Sequence, residues 1–141
     1  MALPTKLHLE IVTPEGLLLR EDVDEVVAPG SDGSFGVLPG HTPFLTTLGV
    51  GVIWYRTANV RNDLSCFWGF CEVLPDRVSI LAELGERAAD IDLQRAEHAK
   101  ERAAERMKVI RDEAGFEEAH QAYIRAVTRL AVARGQRERS A

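Results

Sequence analysis

The chain has 141 residues, 45% of them hydrophobic and 28% charged, with a formal net charge of −5 and a pI near 5.4. That length fits one compact domain with a small appendage, and the acidic balance excludes a protein that lives by neutralising nucleic acid phosphates. Neither a charged-then-apolar leader in residues 1–5 nor a run of 18 apolar residues occurs, so a soluble, unexported chain is expected.

From Lys6 to Val12 the residues alternate, with Leu7, Leu9 and Ile11 on one side and Lys6, His8 and Glu10 on the other, which predicts a half-buried strand. Thr13-Pro14-Glu15-Gly16 supplies a turn, and Val23 to Ala28 is a second apolar run closed by Pro29 and Gly30. After a turn around Gly33, short runs follow at Phe35–Leu38, Phe44–Leu48, Val50–Arg56, Leu64–Trp68, Phe70–Leu74 and Val78–Ala82. Such close spacing predicts an N-terminal antiparallel β-sandwich or barrel over residues 1–86. Cys66 and Cys71 stand five residues apart, which puts them on opposite faces of a regular strand. No disulfide is expected between them, and the bland reading is two small buried hydrophobes in a reducing compartment.

Beyond Glu83 the alanines, glutamates and arginines take over, and the period becomes helical. Asp90 is the expected N-cap of a first helix whose seam reads Leu93, Ala96, Lys100, Ala103, Met107 and Ile110. Near Gly115 the pattern restarts with Phe116, Ala119, Tyr123, Ala126, Leu130 and Ala133. Glu117 and Glu118 open this second helix, while Arg125, Arg129, Arg134, Arg137 and Arg139 crowd towards its end, as the helix dipole prefers. Joined by Arg111–Ala114, the two predict a C-terminal antiparallel helical hairpin over residues 87–141. Its seam offers few large side chains, so it gains little against the entropy of ordering it, and a weakly packed element of this kind suits a conformational switch.

Chemistry is harder to find. His8, His41, His98 and His120 lack metal-site spacing, and no nucleophile elbow or P-loop is present, so neither a catalytic residue nor a metal site is assigned. The segment Gly33-Ser34-Phe35-Gly36-Val37-Leu38-Pro39-Gly40-His41-Thr42-Pro43 is more distinctive, because dense glycine and proline fix one loop with two apolar residues held inside. The stretch Gly36 to Pro43 resembles the signature loop of F-type ATP synthase epsilon subunits. Lys6–Gly16, Gly69-Phe70-Cys71-Glu72-Val73, Val78–Ala82 and the helical tail also sit where that family places them, so the resemblance covers nearly the whole chain. It departs at Trp68, where the family commonly has glycine, and at Cys71, where a small or aliphatic residue is more usual.

The resemblance implies a non-catalytic rotor subunit on the cytoplasmic face of the bacterial inner membrane. The sandwich would contact the gamma subunit and the c-subunit ring, with Ser31, Ser34 and His41 as interface candidates. The hairpin would extend towards the alpha/beta catalytic head and restrain ATP hydrolysis. Ile91-Asp92-Leu93-Gln94-Arg95-Ala96 is similar to the ATP-binding motif of some bacterial members. By that likeness a regulatory ATP site maps onto Glu86, Ile91, Asp92, Arg95, Arg102, Arg125 and Arg129, with no cofactor required. Helical geometry makes sense of it: at about 100° per residue Arg95, Arg102 and Arg106 project within about 40° of one another, with Asp92 about 40° beyond Arg106, and guanidinium forks suit a polyphosphate. The competing readings are ordinary surface ion pairs on solvated helices, a free-standing ATP-binding sensor, and a small barrel enzyme with a metal inside, which the histidine spacing does not support.

Overall fold

In the computed structural model, which describes residues 3–140, the first alternating stretch becomes β1 (Leu7–Thr13), with Leu7, Leu9 and Ile11 sealed from solvent. β2 (Gly16–Val23) returns antiparallel to it. This strand carries no readable alternation, since Leu17, Leu18 and Leu19 run together before Arg20-Glu21-Asp22; only its pairing with β1 defines it. β3 (Glu25–Gly30), β4 (Gly33–Val37), β5 (Phe44–Thr57), β6 (Val60–Leu74) and β7 (Arg77–Arg87) complete a seven-stranded sheet in the order β2-β1-β7-β6-β5-β3-β4. Every pairing is antiparallel except β1 on β7, which is parallel. The sheet folds over one core that includes Leu9, Val23, Val26, Leu48, Ile53, Val73 and Ile80, giving the predicted sandwich.

One row of the sheet departs from regular alternation. Leu64 and Cys66 point into the core, and so do Cys71 and Val73, so the inward set on β6 slips by one between them. The slip lies at Trp68 and Gly69, whose φ angles are +63° and +151°. Neighbouring β5 shows the same change between Leu48 and Ile53, in register with it. This corrects the opposite-face expectation for the cysteines: both are buried in one core, unbridged, and burial pushes each thiol up to about 12. It also locates the Trp68 departure, because that position adopts a left-handed backbone that glycine accepts without cost. At Gly69 the constraint is steric as well, since a Cβ would stand 2.1 Å from the Leu81 carbonyl oxygen.

The strand signal of β7 outlasts its last β-branched residue, so Glu86 belongs to the sheet. A 3₁₀ turn (Ala88–Asp90) then leads to α1 (Leu93–Val109) and α2 (Glu113–Ser140). The N-cap of α1 is Asp92 rather than Asp90: its carboxylate accepts from the Arg95 N–H at 3.0 Å, while Asp90 is used up in the turn. The link between helices is Ile110–Asp112, shorter than expected, because Asp112 caps α2 by accepting from the Gly115 N–H at 2.7 Å. The helices meet through Ala96 and Ala103 on one side and Ala119 and Ala126 on the other, all buried. Ion pairs Arg134–Glu97 and Arg106–Glu118 cross the hairpin. α2 is the helix that rests on β5 and β6, with Leu130 and Val132 buried, and α1 lies outside it. Among the described residues, no helix is long and apolar enough to cross a membrane.

Candidate functional site

Where β7 gives way to α1, the sheet end, the 3₁₀ turn and both helices enclose a cavity of about 210 Å³. Glu86, Asp90, Ile91, Asp92, Arg95, Ala96, Ala99 and Arg129 line it. Each element contributes for a local reason. β7 continues to Arg87 and presents Glu86 beside Ser65, whose hydroxyl accepts from the Glu86 N–H at 3.1 Å. The turn brings Ile91 round through its N–H to the Ala88 carbonyl at 3.2 Å, and Asp92 then starts α1 and aims Arg95 one turn on. Ala96 and Ala99 are small, which leaves the space open.

Charge organises the wall. Arg129 of α2 donates to the Glu86 carboxylate at 2.6 Å, and its guanidinium lies over the Phe67 ring at 5.0 Å. Both partners are about three-quarters shielded, so this pair spans sheet and hairpin in a partly dry setting. Asp92 does not pair with the Arg95 side chain as a surface ion pair would; its contact is to the Arg95 backbone.

Of the seven residues assigned to an ATP site, the structure brings Glu86, Ile91, Asp92, Arg95 and Arg129 together. Arg102 and Arg125 are not among the lining residues: Arg102 is exposed further along α1, and Arg125 sits one turn before Arg129 on α2. Asp90, Ala99, Ser65 and Phe67 are the residues that sequence reasoning missed, while Ala96 stands in the motif without an assigned role in the site. The small pair at 96 and 99 is legible as a gap in side-chain volume next to the motif. Ser65 and Phe67 carry no such signal, since only the β6–β7 pairing, with Ser65 opposite Glu86, puts them there.

The glycine-rich loop lies at the other end of the sandwich. Ser31 bonds Thr47 through its hydroxyl (2.6 Å) and through its N–H to the Thr47 carbonyl (3.0 Å); Ser34 is exposed opposite Pro29 on the β3–β4 hairpin. His41 holds the Thr42 carbonyl at 2.6 Å and leans on Phe44, which meets Phe35 edge-on at 5.3 Å. With two apolar residues expected inside the loop, Val37 is buried and Phe35 half-buried, while Leu38 is 54% exposed, because the chain leaves the sheet after Val37. Among the described residues no three potential metal ligands gather.

The family described as ATP synthase, delta/epsilon chain, β-sandwich domain matches residues 6–88, and the one described as ATP synthase, delta/epsilon chain, long α-helix domain matches residues 89–134. The chain belongs to the epsilon-subunit family of F-type ATP synthases. Relatives include the ATP synthase epsilon chain of Syntrophobacter fumaroxidans, 50% identical over 128 residues, covering 91% of this chain and 96% of that one. The ATP synthase epsilon chain of Nitratidesulfovibrio vulgaris is 46% identical over 126 residues, covering 89% and 94%. A chain in the cryo-EM structure of Euglena gracilis mitochondrial ATP synthase (OSCP/F1/c-ring) has the same fold, with a TM-score of 0.80 at 21% identity over 91% of this chain and 81% of that one. The junction between the two matched family regions, at residues 88 and 89, falls inside the turn that forms one wall of the cavity.

Proposed function

We propose that this epsilon-family chain is a non-catalytic central-stalk subunit, peripheral to the cytoplasmic face of the bacterial inner membrane. In this reading its sandwich couples gamma to the c-ring, and its hairpin restrains ATP hydrolysis at the alpha/beta head. The observation that carries it is an apolar row on the outer face of the sheet. Leu17, Val12, Leu81 and Phe70 are successive cross-strand partners from β2 to β6, and Leu81 and Phe70 are each 57% exposed. On β5 the partner of Phe70 is Thr47, and Leu45, more exposed still, stands two residues along the same face, diagonal to Phe70. A contiguous apolar patch of this kind on an exposed face favours a permanent protein partner, and this reading takes gamma as that partner. Co-expression with the gamma subunit of the same synthase tests it: Phe70→Asp with Leu81→Asp is expected to abolish co-purification while the sheet stays folded. Undiminished recovery of gamma would sink the reading.

A second role, ATP sensing, draws support from the cavity, where two arginines of opposite helices and three carboxylates, from the sheet end, the turn and the α1 cap, converge. Arginine forks suit phosphates, while a carboxylate can accept from a base or ribose. In the folded hairpin Arg129 is held by Glu86, so nucleotide has to compete for it, and ligand bound only to this form shifts the hairpin towards it by mass action. Titrating ATP into the full chain should give saturable binding that Arg129→Ala weakens at least tenfold. No binding up to millimolar ATP leaves a coupling subunit regulated mechanically.

A further inference from the structure

The last turns of α2 meet the sheet at a place remote in sequence from the nucleotide motif. β7 ends at Arg87, opposite Leu64, so on β6 the residues from Val60 to Asp63 run on without a β7 neighbour. A strand edge left bare in this way carries backbone donors and acceptors that need partners. The Gln136 carboxamide supplies them. Its oxygen accepts from the Asp63 N–H at 2.9 Å and its nitrogen donates to the Arg61 carbonyl at 3.3 Å, so that one side chain stands where a strand residue would.

The Asp63 side chain, only 3% exposed, is held from both sides. Arg61 on its own strand donates at 2.9 Å, with its guanidinium over the Trp54 ring at 4.6 Å, and Arg139 of α2 forms an ion pair with it at 2.7 Å. Gly135 completes the fit. A Cβ there would stand 3.2 Å from the Arg139 guanidinium and 3.6 Å from an Asp63 carboxylate oxygen. Glycine within a helix weakens it relative to alanine; here its bare Cα leaves room for the Arg139 guanidinium, while a Cβ would make only ordinary contact with the Asp63 carboxylate. Gly135, Gln136 and Arg139 all lie beyond residue 134, where the family match to the helical region stops.

We propose that Asp63 and the bare edge of β6, clasped by Gln136 and Arg139, form a polar latch that holds the helical hairpin against the sandwich and sets how readily it is released. The partners suit a contact that opens and recloses. Asp63 keeps Arg61 when α2 departs, so release exposes a paired carboxylate to water instead of orphaning a buried charge. The edge groups likewise exchange Gln136 for water. The latch is separate from the cavity at Glu86 and Arg129, so it acts on the hairpin with or without nucleotide. Its regulatory meaning rests on the proposed role of the hairpin, but its existence does not.

Hydrogen exchange on the full chain tests it, comparing wild type with Gln136→Ala/Arg139→Ala, a change confined to the exposed end of α2. The expected result is at least tenfold faster exchange of α2 amides from Ala119 to Leu130, with β1 and β7 amides unchanged and with partial return of protection in Gln136→Ala/Arg139→Lys. Asp63→Asn should show the same pattern from the sheet side. Unchanged α2 protection in the double variant overturns the latch. Hydrolysis by the assembled synthase separates the two ideas: faster α2 exchange with unaltered hydrolysis keeps the latch and removes the inhibitory role of the hairpin.

Discussion

In the sandwich the sealed side chains are Leu7, Leu9, Ile11, Ile53 and Ile80 and their neighbours, whereas the seam between α1 and α2 is sealed by Ala96, Ala103, Ala119 and Ala126. Full burial of a leucine or isoleucine contributes about 1.5 to 3 kcal/mol, and an alanine methyl about 0.8 kcal/mol. The hairpin therefore depends on what α2 finds outside the seam: the Leu130 and Val132 contacts, the Glu86–Arg129 pair, and the Gln136 and Arg139 clasp on β6. A sheet domain closed by its own core can serve as a fixed coupling piece. An element fastened to it at a few polar points can leave and return, which is the property a regulatory arm needs.

The contrast can be broken from the sandwich side first. Gly69→Ala puts a Cβ against the Leu81 carbonyl at a backbone conformation alanine disfavours, so a stability loss of about 3 kcal/mol or more is expected in urea unfolding of the whole chain. A loss below about 1 kcal/mol would mean that β6 and β7 part easily at this row and that the corner is not rigid. The smaller effect belongs to the hairpin. Asp92→Ala removes the α1 cap and should cost about 1 kcal/mol locally, read as faster amide exchange in the first turn of α1 with the β-strand amides unmoved. If β1 and β7 amides also speed up, hairpin and sandwich unfold as one unit and the hairpin has no separate stability. The latch variants fall on the same axis, since they loosen the whole of α2 without touching either core.

Legibility in the sequence follows the same division of physics. Local periodicity announced β1, the runs of β5 and β6, and both helices, because each buries one face and repeats accordingly. β2 escaped because its inward residues are set by β1 alone, and the extent of β7 escaped because Glu83 to Arg87 read as helical composition. The candidate site was half legible. Ile91, Asp92 and Arg95 are adjacent in the chain, and the resemblance supplied Glu86 and Arg129. Arg102 and Arg125 fit the pattern of residue types but not the cavity wall, since a helical wheel orders residues around one helix and says nothing of how far along it the sheet reaches.

Sequence alone determined the class of fold, the change from strand to helix, the thinness of the alanine seam and the family resemblance that the matched regions bear out. Each of these is written in neighbours a few residues apart. Tertiary structure decided the rest: that the cysteines share one core because alternation slips at Trp68 and Gly69, that Asp92 and not Asp90 caps α1, and that Asp63 meets Gln136 and Arg139 more than seventy residues away. The physical reason is common to all three. A backbone irregularity, a competing turn and a bare strand edge create hydrogen-bonding demands that are met by whichever groups the packed chain brings within reach.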